Sequence, residues 1–208
     1  MNNNIEIIQR IKEVVFPVNY HVKPDRKPET TSDTGTLFES QEYDLISSAV
    51  LVPLVLRGSV WKLIMTKRSN KLKKHAGQIS LPGGKYDSRD KNLFNTALRE
   101  TSEEIGVNTN NVNIFGSSQS HETITGFRIF PFLGIISPHD ELIKNSEEVQ
   151  EIFEVPLTFV LEKKKFSRHF LNIKNPNRKY LAIPYGSHYI WGATARILYN
   201  LSEKFLYR

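Results

Sequence analysis

Cysteine is absent from the 208-residue chain, so it can build no disulfide framework, no thiolate metal site and no thiol nucleophile. Any metal must be held by oxygen or histidine. No apolar run approaches the roughly 18 residues that a bilayer span requires, and the start, MNNNIEIIQRIKEVVF, lacks a basic stretch followed by a long apolar one. Internal repeats and low-complexity tracts are missing too. These gaps argue against a membrane-spanning helix, a disulfide-stapled secreted domain and a repeat array. They lead to the expectation of a soluble, unexported chain in a reducing, cytoplasmic compartment.

What is present suits a globular core, with 39% hydrophobic and 11% aromatic residues over a length that fits one substantial domain. The net charge of +6 is unevenly placed: residues 62–91 hold nine Lys or Arg against two Asp, and residues 162–180 hold seven against one Glu. Such segregation suits a polyanionic ligand, although solvated lysines around a loop are the commoner explanation.

IEIIQRIKEVV has helical spacing and ends before Pro17. Residues 17–44, with three prolines and many small polar residues, read as an irregular arm. LISSAVLVPLVL and VWKLIMT, separated by Arg57-Gly58-Ser59, read as buried strands joined by a tight turn. NLFNTALRETSEEI reads as a helix with Phe94, Leu98, Thr101 and Ile105 on its buried stripe, capped by Asp90 or Asn92 and stopped by Gly106. VNIFGSS, FRIFPFLGII, EIFEVPLTFVL and KYLAIPY read as strands, and YIWGATARILYNL as more helical. The fold class is mixed α/β (α+β), with residues 1–45 a helix plus arm and residues 46–208 the main domain.

The acidic helix carries Glu100, Glu103 and Glu104 within about 100° of arc around its axis. Carboxylates at i and i+4 repel, so folding alone gives no reason to collect them. A solvated glutamate face is the usual explanation of such a cluster, and a divalent cation is the functional one. Arg99, four residues before Glu103, can pair with it and offset some repulsion.

GGKYDSRDKNLFNTALRETSEEIGV resembles the Nudix box, a glycine followed by a glutamate and then Arg-Glu, Glu-Glu and Gly at fixed spacing. Arg99, Glu100, Glu103, Glu104, Gly106 and Val107 fit. Thr101 takes a usually apolar place, Asp90 stands where Glu is usual, and eight residues rather than seven separate it from Arg99. The lengthened form looks like the branch that cleaves coenzyme A. The resemblance implies a Nudix fold, a mixed sheet sandwiched between helices, and Mg²⁺ (or Mn²⁺) held by Glu100, Glu104 and Glu103. It also implies catalytic roles for Glu103, Glu104 and Arg99. The general base stays open among Glu103 and the later Glu122, Glu147, Glu148 and Glu151.

Upstream, LIMTKRSNKLKKHAGQISLPGG resembles the second signature of coenzyme A pyrophosphatases at Thr66, Arg68, Ser69, Gly77, Pro82, Gly83 and Gly84. Lys73 replaces the usual Arg and Leu81 the usual Phe; lysine keeps the charge but loses the bidentate fork. The implied substrate-binding set is Thr66, Arg68, Ser69, Lys73, Gly83 and Gly84, with Lys71 and Lys74 as further cations for a 3′-phosphate. His75 reads as a loop residue, Trp191 as a core residue, and His121 with Glu122 as either facing the metal or forming a surface turn.

The expected activity is hydrolysis of coenzyme A or its thioesters to 3′,5′-ADP and a phosphopantetheine product. The enzymatic alternative is a Nudix hydrolase of ADP-ribose, NADH or another nucleoside diphosphate derivative. An alternative of another class is a nucleic-acid-binding module with an inactive helix. Neither basic segment interleaves aromatics along the sequence as a stacking platform would, so the expected partner is a small-molecule substrate, with neither membrane nor nucleic acid. A homodimer is left open.

Overall fold

The computed structural model describes residues 2–18, 30–32, 45–172 and 175–206. In chain order these form helix α1 (Asn2–Val14) and strands β1 (Thr30–Ser32), β2 (Ile46–Arg57), β3 (Val60–Arg68), β4 (Ile79–Ser80) and β5 (Gly83–Lys85). Helix α2 (Leu93–Ile105) precedes β6 (Val112–Ser117), β7 (Ser120–Glu122), β8 (Phe127–Ile136) and β9 (Val149–Pro156). Helix α3 (Leu157–Leu161), strands β10 (Ser167–Asn172), β11 (Asn175–Tyr185) and β12 (His188–Trp191), and helix α4 (Gly192–Leu206) complete the chain. Most of the arm expected over 17–44 lies outside the described residues.

Strands β1 to β9 make one mixed sheet, with β2 parallel to β8 and antiparallel to β3. Strand β2 reads as a continuous apolar run because both of its faces are covered. Ala49, Leu51 and Val55 point to one face with Ile64, Phe130, Phe132 and the α2 residues Leu93, Ala97 and Ile105. Val52 and Leu54 point to the other, with Leu63 and Met65 of β3 and Ile8 and Ile11 of α1. Residues of α3 and α4 and of the β10–β12 sheet, including Leu157, Leu198 and Ile183, complete that second cluster. The sheet is thus sandwiched between helices as expected.

Two boundaries differ from the sequence reading. EIFEVPLTFVL does not continue as a strand: Pro156 ends β9 and Leu157 opens α3, since proline suits a helix start and not a ladder interior. YIWGATARILYNL divides at Gly192 between β12 and α4. Among the described residues no helix is long and apolar enough to cross a membrane.

Candidate active site

Helix α2 is pinned at both ends. The Asn92 side chain accepts the Asn95 amide at 2.9 Å, so Asn92 rather than Asp90 is the cap, and the Gly106 amide returns to the Ser102 carbonyl. The buried face is Leu93, Ala97, Thr101, Glu104 and Ile105, rotated from the expected stripe, while Phe94 and Leu98 lie half-buried on its flank. Thr101 tolerates an apolar position because its hydroxyl donates to the Ala97 carbonyl at 2.6 Å. The rotation carries Glu104, next to Ile105, out of solvent and against β5.

Glu104 is only 2% exposed, and its Oε2 has no hydrogen-bond partner among the described residues. Burial pushes its carboxyl up to about 8; Arg68 opposes the shift, Glu100 and Glu148 add to it, and the Gly83 amide opposes it. The nearest cation is Arg68, whose Nη1 stands 3.8 Å from Oε1, an electrostatic contact longer than a hydrogen bond. Burial also raises Glu100 above the ordinary carboxylate range against the pull of Arg99, with Glu103 and Glu148 adding repulsion. A Cβ at Gly84 would stand 2.3 Å from Glu100 Oε2, so Gly84 lets β5 lie directly beside α2, while one at Gly83 would stand equally close to the Ala49 carbonyl, so Gly83 lets β5 lie close against β2.

Arg99 organises the outer side of the cluster. Its Nη1 donates to Glu100 Oε1 at 2.9 Å and to Glu103 Oε2 at 3.2 Å, while its Nε and Nη2 grip both oxygens of Asp90. The hydrogen bonds it donates to Asp90, chiefly, raise the guanidinium's already high pKa. Asp90 is buried, which pushes its pKa up, yet the Arg99 and Thr96 hydrogen bonds hold it below its ordinary value. Sequence reasoning left Asp90 outside the site; the signal was an acid nine residues before Arg99, where the motif expects a glutamate. Glu103 is largely exposed and tied to Arg99 at the surface.

The second wall comes from the ends of β3 and β9, where Arg68 pairs with Val149. The Ser69 amide donates to the Glu148 carbonyl at 2.8 Å, which seats Glu148 beside Arg68. Of the four later glutamates considered as a base, Glu122 is paired with Arg128, Glu147 with Lys71 and Glu151 with His188. Glu148 instead bears electrostatically on Glu100 and Glu104. Thr66 is buried and bonded to Ser80, Leu81 belongs to the core, and Lys73, Lys74 and His75 stand exposed on the loop between β3 and β4. His121 and Glu122 form no surface turn: both lie in β7, with His121 fully buried beside β8. Trp191 is half-buried on the outward side of β12, because the alternate position, Ile190, enters the core.

The donor set suits a hard divalent cation. Among the described residues no three carboxylate or histidine groups converge into a complete cage, whereas Mg²⁺ takes few carboxylates and retains water. A buried carboxylate oxygen lacking any donor, beside a second, half-buried carboxylate, is a pair that a cation would satisfy.

A family model described as the NUDIX domain matches residues 46–172. The chain belongs to the Nudix family. As a Nudix hydrolase it acts on nucleoside diphosphate derivatives, a class of enzyme that generally uses divalent metals such as Mg²⁺. It is similar to "Uncharacterized Nudix hydrolase NudL" of Yersinia enterocolitica, with 35% identity over 76% of this chain and 80% of that protein. The protein of the same name from Pectobacterium atrosepticum is 33% identical over 74% and 80%. Among solved structures, an Ap4A hydrolase binary complex from C. elegans aligns with TM-score 0.47 at 17% identity, covering 57% of this chain and 85% of that one.

Proposed function

We propose that this Nudix hydrolase cleaves the pyrophosphate bond of coenzyme A or its thioesters, giving 3′,5′-ADP and 4′-phosphopantetheine or its acyl form. Mg²⁺ is the working cation, with Mn²⁺ able to replace it. The observation that supports this substrate is the position of Arg68. Its guanidinium stands against Glu104 with Nε buried and unpartnered, at the start of a loop that holds Lys73 and Lys74 out in solvent. The loop that offers cations for a second phosphate therefore begins beside the carboxylates that serve the pyrophosphate.

In this reading Glu100 and Glu104 hold the cation, with Glu103 reaching it from the rim. When bound, Mg²⁺ neutralises the pyrophosphate oxygens and polarises the phosphorus for attack. Arg68 binds a phosphate oxygen through its free donors. Glu148 takes the proton of the attacking water at its carboxylate. Asp90 fixes Arg99, and Arg99 fixes Glu100 and Glu103. Residues 46–208 form the hydrolase domain, α1 packs back onto its core, and the work is done in the cytoplasm.

The test is turnover of coenzyme A, dephospho-coenzyme A and ADP-ribose by the full chain with and without Mg²⁺. The reading expects Mg²⁺-dependent release of 3′,5′-ADP, fastest from coenzyme A or a thioester. Faster cleavage of ADP-ribose or NADH would assign the site to another nucleoside diphosphate derivative.

A further inference from the structure

The last carbonyls of a helix find no amide within it and need donors from outside. In α2 the Ser102 carbonyl takes the Gly106 amide, but the next two are served by the loop that leads from β8 into β9. The Ile143 amide donates to the Ile105 carbonyl at 2.9 Å, and the Asn145 amide donates to the Glu104 carbonyl at 3.0 Å. Gly106 permits the approach: its φ is 71°, and a Cβ there would stand 2.8 Å from the Ile143 carbonyl. The loop is therefore docked on the end of the helix that carries the carboxylates.

Asn145 then turns the chain toward β9. Its side-chain Oδ1 accepts the Glu147 amide at 3.1 Å, and its carbonyl accepts the amides of Glu148 at 3.1 Å and Val149 at 2.7 Å. A side-chain oxygen that takes the amide two residues on makes an Asx turn, which asparagine forms well, serine more weakly and alanine not at all. One half-buried residue thus joins the backbone of Glu104 to the backbone of Glu148.

The far side of the turn is fixed by β3. The Ser69 amide donates to the Glu148 carbonyl at 2.8 Å, Val149 pairs with Arg68, and Arg68 stands against Glu104. The turn also carries an ion pair, Lys71 to Glu147 at 2.7 Å, but both side chains are mostly exposed and such a pair contributes little. The shape of the turn rests chiefly on the bonds to Asn145. A reacting group displaced by about 1 Å can lose on the order of a hundredfold in rate, so a turn placed here matters to the chemistry.

We propose that Asn145 is a positioning residue, whose turn sets Glu148 at a fixed place relative to Glu104 and so aligns the proton acceptor with the carboxylate that holds the cation. It rests on Glu148 being the base and does not depend on which nucleoside diphosphate derivative is cleaved.

Steady-state kinetics of wild type, Asn145→Ala, Glu148→Gln and the double variant test it, with melting temperature alongside. The assay uses Mg²⁺ and whichever of coenzyme A, dephospho-coenzyme A and ADP-ribose the wild type cleaves fastest. Asn145→Ala should lower kcat by about ten- to a hundredfold with KM unchanged. In the Glu148→Gln background the same substitution should cost less than about twofold, because its effect passes through Glu148. Asn145→Ser, whose hydroxyl accepts the same amide more weakly, should show a smaller loss of the same kind, and it carries the comparison if the alanine variant does not fold. Wild-type kcat in Asn145→Ala would overturn the proposal and leave Glu148 as the base. Equal losses from Asn145→Ala with and without the Glu148 carboxylate would overturn it too, since the turn would then act on the fold at large. Full turnover in Glu148→Gln would instead strike the base itself, and the positioning role with it.

Discussion

Arg99 holds Asp90 by two parallel hydrogen bonds, Nε to Oδ1 at 2.9 Å and Nη2 to Oδ2 at 3.0 Å. The same guanidinium bonds Glu100 and Glu103, so one buried aspartate outside the RETSEEIG segment orients two of its three glutamates. Asp90→Asn keeps the shape but removes the charge that offsets Arg99. Breaking a largely buried pair from one side should cost about 2–3 kcal/mol. Urea denaturation should show this as a lower midpoint with an unchanged slope, and turnover should fall because Arg99 is freed.

Gly84 makes room for the Glu100 carboxylate. In Gly84→Ala the new methyl group would overlap Oε2 and Cδ of Glu100, which must swing away or push β5 off α2. The expected outcome is a raised Mg²⁺ requirement and at least about a hundredfold loss of turnover, while the far-ultraviolet spectrum stays that of the wild type. A variant with wild-type Mg²⁺ dependence would show that Glu100 is not held there for metal binding.

Four glutamates follow the helix as possible bases, and three are committed to cationic or histidine partners. Glu148→Gln should therefore lower kcat by about 10²–10⁴ with little change in KM. Glu122→Gln, Glu147→Gln and Glu151→Gln should stay within a few-fold. Steady-state kinetics of the four variants on one substrate would decide it.

Burial gives the metal-free protein a distinctive pH response. The Glu104 carboxyl lies at about 8 in the folded chain against an ordinary 4.5, so the folded state binds that proton more tightly than the unfolded state does. Its contribution therefore weakens stability progressively as pH rises from about 4.5 through 8. Melting in chelator across that range should show wild type losing ground to Glu104→Gln as pH rises. Added Mg²⁺ should reverse the order at high pH.

Much of this was legible in the sequence, and the reasons for the rest are physical. The apolar runs of β2 and β3, the helix from Asn92 to Gly106 and the Arg99–Glu104 pattern all follow from local chemistry. The rotation of α2 that buries Glu104 does not, because periodicity leaves the helix phase uncertain by about one residue when Thr101 and Glu104 occupy inward positions. Selection of Glu148 depends on the pairing of Arg68 with Val149, a contact between strands about 80 residues apart in the chain. Trp191 reads as core when the IWGATA section is taken to pack inward as a whole; the pleat of β12 gives the core position to Ile190 instead.

The central claim is that Glu104 serves metal-assisted pyrophosphate chemistry rather than the helix's own stability. It is tested most directly by turnover of coenzyme A at saturating Mg²⁺ in wild type and Glu104→Gln, with melting temperature measured alongside. The account predicts a loss of about a thousandfold or more in turnover with a melting temperature, taken in chelator above about pH 8, equal to or above that of the wild type. Equal turnover in the two proteins would contradict it.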